Sequence, residues 1–167
     1  MKARKPVLLI VWHSATGGAQ AMAAAVAEGA ATESGVDARL MHAQHAGPDD
    51  VLAADGYAFV CPEMLGSMSG VMKDFFDRTY YPVLDRIQGR PCMLMVCAGS
   101  DGSGAVRQMQ RILTGWRLRE VAPSLVICTH AQTPERILAP KVLTDADIQT
   151  CRESGQALAA GLAMGLF

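Results

Sequence analysis

Five short apolar runs place the strongest constraint on the fold of this 167-residue chain. Most of them are continuously apolar, as in strands buried on both faces of a parallel sheet, whereas the second alternates like an edge strand. Segments with helical period separate the runs, which lie at 6–12, 38–43, 57–61, 91–97 and 124–129. The pattern predicts β-α repeated five times, an α/β protein with a three-layer α/β/α sandwich around a five-stranded parallel sheet. We expect residues 1–167 to form one domain.

The helical segments show which side chains should face the sheet. Segments 19–32 and 145–164 are predicted as the first and last helices, and Thr144 with Asp147 resembles a capping box before the last one. The two middle helices each present one apolar face, formed by Val71, Met72, Phe75, Phe76 and Thr79 in one and by Val106, Met109, Leu113 and Trp116 in the other. The connection at 129–144 is unusually long, which is typical of functional loops but equally of interface or irregular ones.

Composition and charge exclude several classes of function. The net charge is −1, so there is no basic excess for binding nucleic acid. The chain has five cysteines without a C-x-x-C pair and four scattered histidines, which favours a reducing, cytoplasmic setting and predicts no metal site. No apolar segment is long enough to predict a membrane span.

Ligands of open α/β sheets bind beyond the carboxyl ends of the strands, so the turns after the first, third and fourth strands are candidate sites. The first turn, residues 12–20, contains Ser14, Thr16, Gly17 and Gly18 at the start of a helix. Its free N–H groups and hydroxyls would hold a phosphate without a cation. A plain tight turn with a Ser or Thr cap explains the same residues about equally well.

The second and third turns add apolar and glycine-rich surfaces. In the second turn, residues 61–70, Met64, Leu65 and Met68 are expected to face solvent, where they would pack on a flat apolar ligand or fold back on the helix below. In the third turn, residues 98–104, glycines let the backbone approach a ligand, while Asp101 is more simply a turn former or helix cap.

Together the three turns resemble those of flavodoxin-like FMN-binding proteins, in particular the reductase branch with its WrbA-type quinone reductases and NAD(P)H-dependent FMN reductases. The resemblance is sharpest in the pattern P-x-x-x-G-x-x-S-G-x-x-K-x-F-x-D-R over residues 62–78 and in S-x-T-G over residues 14–17. It implies the strand order 2-1-3-4-5. It also implies an FMN site formed by Ser14, Thr16, Gly17, Gly18, Ala19, Pro62, Glu63, Met64, Leu65, Gly66, Ser67, Gly99, Ser100, Asp101 and Gly102.

Two departures from the family pattern concern the cofactor. Ala19 stands where the phosphate loop of flavodoxins ends in Thr, which removes one hydroxyl contact. The second and third turns carry no aromatic residue to stack on the flavin ring, and the nearest aromatics are Trp12, Tyr80 and Tyr81. An open ring site of this kind suits a reductase more than an electron shuttle.

The resemblance implies an FMN-dependent oxidoreductase that takes hydride from NAD(P)H and reduces a quinone, a flavin or a similar small-molecule acceptor. No catalytic acid or base is expected, because the flavin supplies the chemistry. Two alternatives remain: a flavodoxin-type one-electron carrier, which the weak charge disfavours, and a module that has lost its cofactor and serves in protein interaction. Relatives of this kind imply a homodimer or tetramer.

Overall fold

A computed structural model describes residues 4–167 of the chain. Its seven strands are β1 (Val7–Trp12), β2 (Asp37–His42), β3 (Gly56–Met64), β4 (Ser67–Met68), β5 (Pro91–Ala98), β6 (Arg119–Glu120) and β7 (Leu125–Cys128). The main strands lie side by side in the order β2-β1-β3-β5-β7, and all of these neighbours pair in parallel. This confirms the predicted parallel sheet and its order. Residues 1–3 of the predicted domain lie outside the described part.

Burial along the strands follows their position in the sheet. All eight residues of β5 are buried, whereas the residues of β2 are exposed or half-buried. A central strand of a three-layer sandwich is covered on both faces, while an edge strand is covered less completely. The continuous runs of β1, β3 and β5 therefore predicted central strands correctly, and the alternating run an edge strand. The run of β7 did not indicate its position, since β7 lies at the other edge and is mostly half-buried.

Two strands of the structure were not predicted. The two-residue strand β6 pairs with the start of β5, and β4 pairs antiparallel with the end of β3. The β3–β4 hairpin turns through Leu65 and Gly66, whose φ angles are +52° and +73°. Positive φ at both central residues is characteristic of the two-residue turns that match the twist of a hairpin. The second turn is therefore an extension of the sheet and not a simple loop.

Six helices cover the two faces of the sheet. They are α1 (Gly18–Ala31), α2 (Pro48–Ala53), α3 (Gly70–Val83), α4 (Ser103–Gly115), α5 (Pro134–Leu138) and α6 (Asp145–Ala163). One core cluster includes residues of α2, α3 and α4, and a second includes residues of α1 and α6. The apolar faces predicted for α3 and α4 contact the first cluster, with Val71 and Val106 only partly buried. No helix among residues 4–167 is both long and apolar enough to cross a membrane.

The long connection before α6 contains the short helix α5. The side chain of Thr133 accepts a hydrogen bond from Arg136 N at its start, yet no residue of α5 is buried. Because α5 contributes nothing to the core, apolar periodicity could not have predicted it. The capping box at the start of α6 is confirmed, since Thr144 Oγ1 accepts from Asp147 N at 3.1 Å and Asp147 Oδ2 accepts from Thr144 N at 3.3 Å.

Candidate functional site

The first, second and third turns meet around one small cavity at the carboxyl edge of the sheet. Its volume is about 110 Å³. Side chains and backbone of all three turns contribute to its wall, as do residues of the connection before α6. The lining residues are Ser14, Ala15, Thr16, Gly18, Ala19, Pro62, Glu63, Met64, Cys97, Ala98, Gly99, Thr129, Ala131, Ile137, Leu138 and Lys141.

The first turn presents unpaired backbone donors at the start of α1. Gly17 has a φ of +97° and precedes the helix, and Ser14 Oγ accepts a hydrogen bond from Gly17 N at 2.9 Å. No acceptor within residues 4–167 pairs with the N–H groups of Gly18, Ala19 or Gln20, although Gly18 and Ala19 are buried. Buried N–H groups are rarely left unpaired, and a helix N-terminus attracts negative charge. The turn is therefore suited to an anion, and its role as a phosphate site stays a prediction.

Gly18 is required by the packing beneath this turn. A Cβ atom placed on Gly18 would lie 2.5 Å from Cys97 Sγ and 3.3 Å from Lys141 Cβ. Both distances are shorter than ordinary contacts, so any side chain here would push the turn away from β5. The glycine thus lets the start of α1 lie directly against the sheet and the connection before α6.

The second turn is attached firmly to α4. The carboxylate of Glu63 accepts from Gly102 N at 3.0 Å and from Ala105 N at 3.2 Å, and thereby caps the N-terminus of α4. Ser67 Oγ donates to Gln108 Oε1 at 2.7 Å. These contacts are structural, so the side chains of Glu63 and Ser67 are already engaged without a ligand.

One expectation about the second turn is wrong. Met68 was expected to face solvent, but it is buried in the core cluster. The reason is the hairpin, because β4 turns Met68 inward beside β3. Met64 and Leu65 are exposed as expected, and Leu65 is fully so. Pro62 is buried and Gly66 is exposed.

The third turn offers fewer free hydrogen-bonding groups than its sequence indicated. The N–H of Gly102 is used by Glu63, and the carboxylate of Asp101 accepts from Ser103 Oγ at 2.6 Å. Asp101 thus makes the local contact typical of a turn residue. Gly99 lies so close to the 129–144 connection that a Cβ on it would be 2.8 Å from the carbonyl oxygen of Ala131. Ser100 is exposed.

Lys141 is one of the eight lining residues that sequence reasoning missed, and it is the charged one among them. Its backbone N donates to Thr16 O at 2.8 Å, which fixes the 129–144 connection to the first turn. Its Nζ donates to the carbonyl oxygens of Arg136, Ile137 and Ala139 at 2.8, 2.8 and 2.6 Å. The predicted phosphate turn contains no cation of its own, but Lys141, which is distant along the chain, lines the same cavity.

The mouth of the cavity is apolar. Met64 comes from the second turn, and Ile137 and Leu138 come from α5; all three line the cavity and are exposed. None of the aromatics nearest in sequence takes part. Trp12 packs edge-on against His42, Tyr80 stacks on Trp116, and Tyr81 is exposed on α3. A flat ring at this mouth would contact aliphatic side chains only.

The titratable groups near the cavity are poor nucleophiles and metal ligands. Burial raises the pKa of the Cys97 thiol to about 11, despite the opposing influence of Lys141. The thiol is therefore protonated at neutral pH and unreactive. Burial, with a smaller contribution from His42, lowers the pKa of His13, whose Nδ1 lies 2.8 Å from Ser69 Oγ. Residues 4–167 contain no group of three His, Cys, Asp or Glu side chains able to hold a metal ion.

Eight of the predicted site residues line the cavity: Ser14, Thr16, Gly18, Ala19, Pro62, Glu63, Met64 and Gly99. Seven lie outside its wall: Gly17, Leu65, Gly66, Ser67, Ser100, Asp101 and Gly102. Several of these support the wall, as Gly17 and Gly102 do by beginning α1 and α4 with positive φ.

Two curated proteins are sequence relatives of the chain. A protein called flavodoxin from Aquifex aeolicus is 36% identical over 107 residues, which is 64% of this chain and 58% of that protein. An NAD(P)H dehydrogenase (quinone) from Acidithiobacillus ferrooxidans is 37% identical over 92 residues, or 43% of this chain and 46% of that protein. The chain thus spans about half the length of these curated relatives.

Solved structures share the fold. An archaeal flavodoxin superposes with a TM-score of 0.75 at 21% identity, covering 93% of this chain and 98% of that one. A WrbA-like flavodoxin from Agrobacterium tumefaciens gives 0.70 at 18% identity, covering 95% and 98%. The family model described as NADPH-dependent FMN reductase matches residues 45–133, more than half of the chain. With its flavodoxin-like sheet and its anion-suited first turn, the chain belongs to the NADPH-dependent FMN reductase family.

Proposed function

We propose that this chain binds FMN and uses it to pass electrons from NAD(P)H to a small acceptor of the quinone or flavin type. The observation that carries the proposal is the set of unpaired N–H groups at the start of α1, of which those of Gly18 and Ala19 belong to residues that line a cavity formed by all three turns. Family membership and the relative named NAD(P)H dehydrogenase (quinone) support the same reaction class.

The residues fit the phosphate end of FMN. Three N–H donors, the dipole of α1 and the nearby Lys141 all favour a dianion, and Thr16 lines the cavity without a hydrogen-bond partner for its hydroxyl within residues 4–167. Ala19 contributes its N–H but no hydroxyl. Phosphate binding at this turn therefore depends on the backbone more than on side chains.

The ring end of FMN requires more room. Ligand pockets usually enclose about 300–1,000 Å³, whereas this cavity encloses about 110 Å³. The part of the wall formed by α5 is the natural one to move, because no residue of α5 is buried. Displacing it would open the cavity toward Met64 and Leu65, the exposed apolar residues of the second turn.

Bound FMN would supply the hydride and electron chemistry, and the chain would bind and orient it. No side chain of the cavity is needed as acid or base. Both carboxylate oxygens of Glu63 hold the N-terminus of α4, and Cys97 is protonated. Met64 and Leu65 would shield one side of the ring from water, and the absence of stacking aromatics in the second and third turns would leave room for a second substrate.

A pair of substitutions at Thr16 tests the placement of the phosphate. Thr16→Asp adds a negative charge in the cavity. Thr16→Asn introduces a side chain of the same size as Asp but without the charge. We expect FMN titrations followed by flavin fluorescence to show that the Asp variant binds at least about tenfold more weakly than the Asn variant. Equal affinities would mean that the phosphate binds elsewhere.

A one-electron carrier is the second candidate, because the relative from Aquifex aeolicus is named flavodoxin. Anaerobic addition of NADPH or NADH to the FMN-loaded protein separates the two functions. Rapid bleaching of the flavin absorbance by either nucleotide supports the reductase. A flavin that neither nucleotide bleaches, but that a separate flavoprotein reductase reduces, supports the carrier.

A further inference from the structure

We propose that Lys141 makes this site selective for the phosphorylated flavin, by supplying the positive charge that the first turn lacks. The inference rests on the proposed function and deepens it, since it assigns to one residue the discrimination between FMN and riboflavin. Three features support this role: the contacts that hold Lys141 in place, the partners of its ammonium group and the hydroxyl that the first turn lacks.

The backbone and stem of Lys141 are held against the first turn. Its N–H donates to Thr16 O, and its Cβ and Cγ lie 3.3 and 3.6 Å from the position of a Cβ on Gly18. Gly18 is also the first residue of α1, where unpaired N–H groups begin. Lys141 is therefore a neighbour of the proposed phosphate position by two independent contacts.

The charge of Lys141 is not neutralised by the protein. Within residues 4–167 its ammonium forms no ion pair, and its three hydrogen bonds go to neutral carbonyl oxygens of residues 136, 137 and 139. The acidic residue that lines the cavity, Glu63, is bonded to the N-terminus of α4. A lysine and a helix N-terminus thus line the same cavity without a counter-ion, an arrangement that a bound dianion would stabilise.

The alternative partner of the ammonium would be stronger than its present ones. The bonds to the carbonyls of α5 involve one ionised group, whereas a phosphate adds Coulomb attraction between opposite charges, so a phosphate oxygen competes with those carbonyls. The same exchange would loosen α5, whose residues are not buried and which narrows the mouth. Binding of the phosphate and opening of the cavity for the flavin ring would then both depend on the side chain of Lys141.

The charge of Lys141 would compensate for the hydroxyl that Ala19 lacks. Ala19 provides its backbone N–H to the first turn but no side-chain donor. A lysine would compensate for such a loss, because its hydrogen bond to a phosphate adds the attraction of a positive charge that a hydroxyl lacks. Riboflavin has no phosphate and would gain nothing from it.

The test compares FMN and riboflavin binding to wild type, Lys141→Met and Lys141→Arg by fluorescence titration. We expect Lys141→Met to lower the affinity for FMN about tenfold to a hundredfold and not to lower that for riboflavin, because the loss of the bonds to α5 opens the ring site and does not close it. Lys141→Arg keeps the charge, so it should keep most of the preference for FMN. The preference for FMN over riboflavin should also decline with rising salt in wild type and in Lys141→Arg. In Lys141→Met this preference should decline less.

Lys5→Met is the matched control, because it removes the same charge from an exposed residue just before β1, at the opposite edge of the sheet. It should leave both affinities unchanged. An equal loss of FMN and riboflavin binding in Lys141→Met would overturn the proposal and assign Lys141 a purely structural role in holding α5. Unchanged FMN binding would overturn it as well. If wild type binds neither flavin, the proposed function itself fails, and the inference fails with it.

Discussion

Leu65 is unusual both in its exposure to solvent and in its backbone conformation. It is a large apolar side chain that is fully exposed, and it adopts a φ of +52°, which branched apolar residues rarely do. The left-handed conformation costs roughly 1–2 kcal/mol for such a residue. Strain of this kind concentrates at functional sites, and Leu65 stands next to Met64 at the mouth of the cavity. In the proposed complex with FMN, Leu65 would contact the flavin ring.

Leu65→Asn should therefore stabilise the protein while weakening flavin binding. Asn adopts positive φ readily, and Asn-Gly is the preferred sequence for this type of turn. We expect the free energy of unfolding to rise by about 1 kcal/mol, as measured by urea denaturation without ligand. The affinity for FMN should fall, because an apolar contact is lost.

Met64→Asn is the control for this substitution. Met64 is also exposed and apolar but lies in β3, outside the residues with positive φ. The same replacement should bring no gain in stability there. A stabilisation of equal size in both variants would contradict the argument from backbone strain.

At this scale the sequence predicted residue types better than residue roles. Glycines and hydroxyls indicated a first turn that is suited to an anion, and the structure shows unpaired N–H groups there. The sequence did not reveal that Glu63 caps α4, because the two lie about 40 residues apart and meet only in the fold. Lys141 was missed for the same reason, since no local pattern connects it to Gly18.

Among the helices, α1 and α6 pack most closely. A Cβ on Gly29 would overlap the carbonyl of Arg152, and a Cβ on Gly155 would overlap the carbonyl of Val26. The two glycines thus bring the helix backbones into direct contact. Because α1 begins at the first turn and α6 follows the connection that bears Lys141, this contact sets the distance between the two parts of the site.

Gly155→Ala should destabilise the protein although alanine is the better helix former. Alanine gains about 1 kcal/mol in a helix interior, but overpacking a close contact typically costs about 1–3 kcal/mol and here involves a rigid backbone. We expect the cost to prevail and the midpoint of urea denaturation to fall.

Gly70→Ala provides the comparison, since Gly70 begins α3 with open space around its Cβ position. This substitution should be neutral or stabilising. If both variants unfolded at the same urea concentration as wild type, the close α1–α6 contact would not limit stability.

Elements with a continuous apolar pattern were predictable, and those without one were not. The main strands and the helices α1, α3, α4 and α6 each bury a run or a face that can be read along the chain. The short elements β4, β6 and α5 arise from turn geometry and local hydrogen bonds. Two of them, β4 and α5, lie at the candidate site, which is why its wall was only partly predicted.

The molecule as a whole brings together residues from positions 14 to 141 at one edge of a parallel sheet. That convergence follows from topology, because the carboxyl ends of β1, β3 and β5 lie side by side. The fold class and the location of the site were predictable from strand order for this reason. The size of the cavity was not, since it depends on how α5 lies across the opening.

The most direct test of the account is a crystal structure of the chain at saturating FMN. We expect the phosphate to lie within hydrogen-bond distance of the N–H groups of Gly18 and Ala19. The ring should lie between the second and third turns, and α5 should be displaced. A phosphate bound at any other place, or a first turn that stays closed under Lys141 and α5 at saturating FMN, would contradict it.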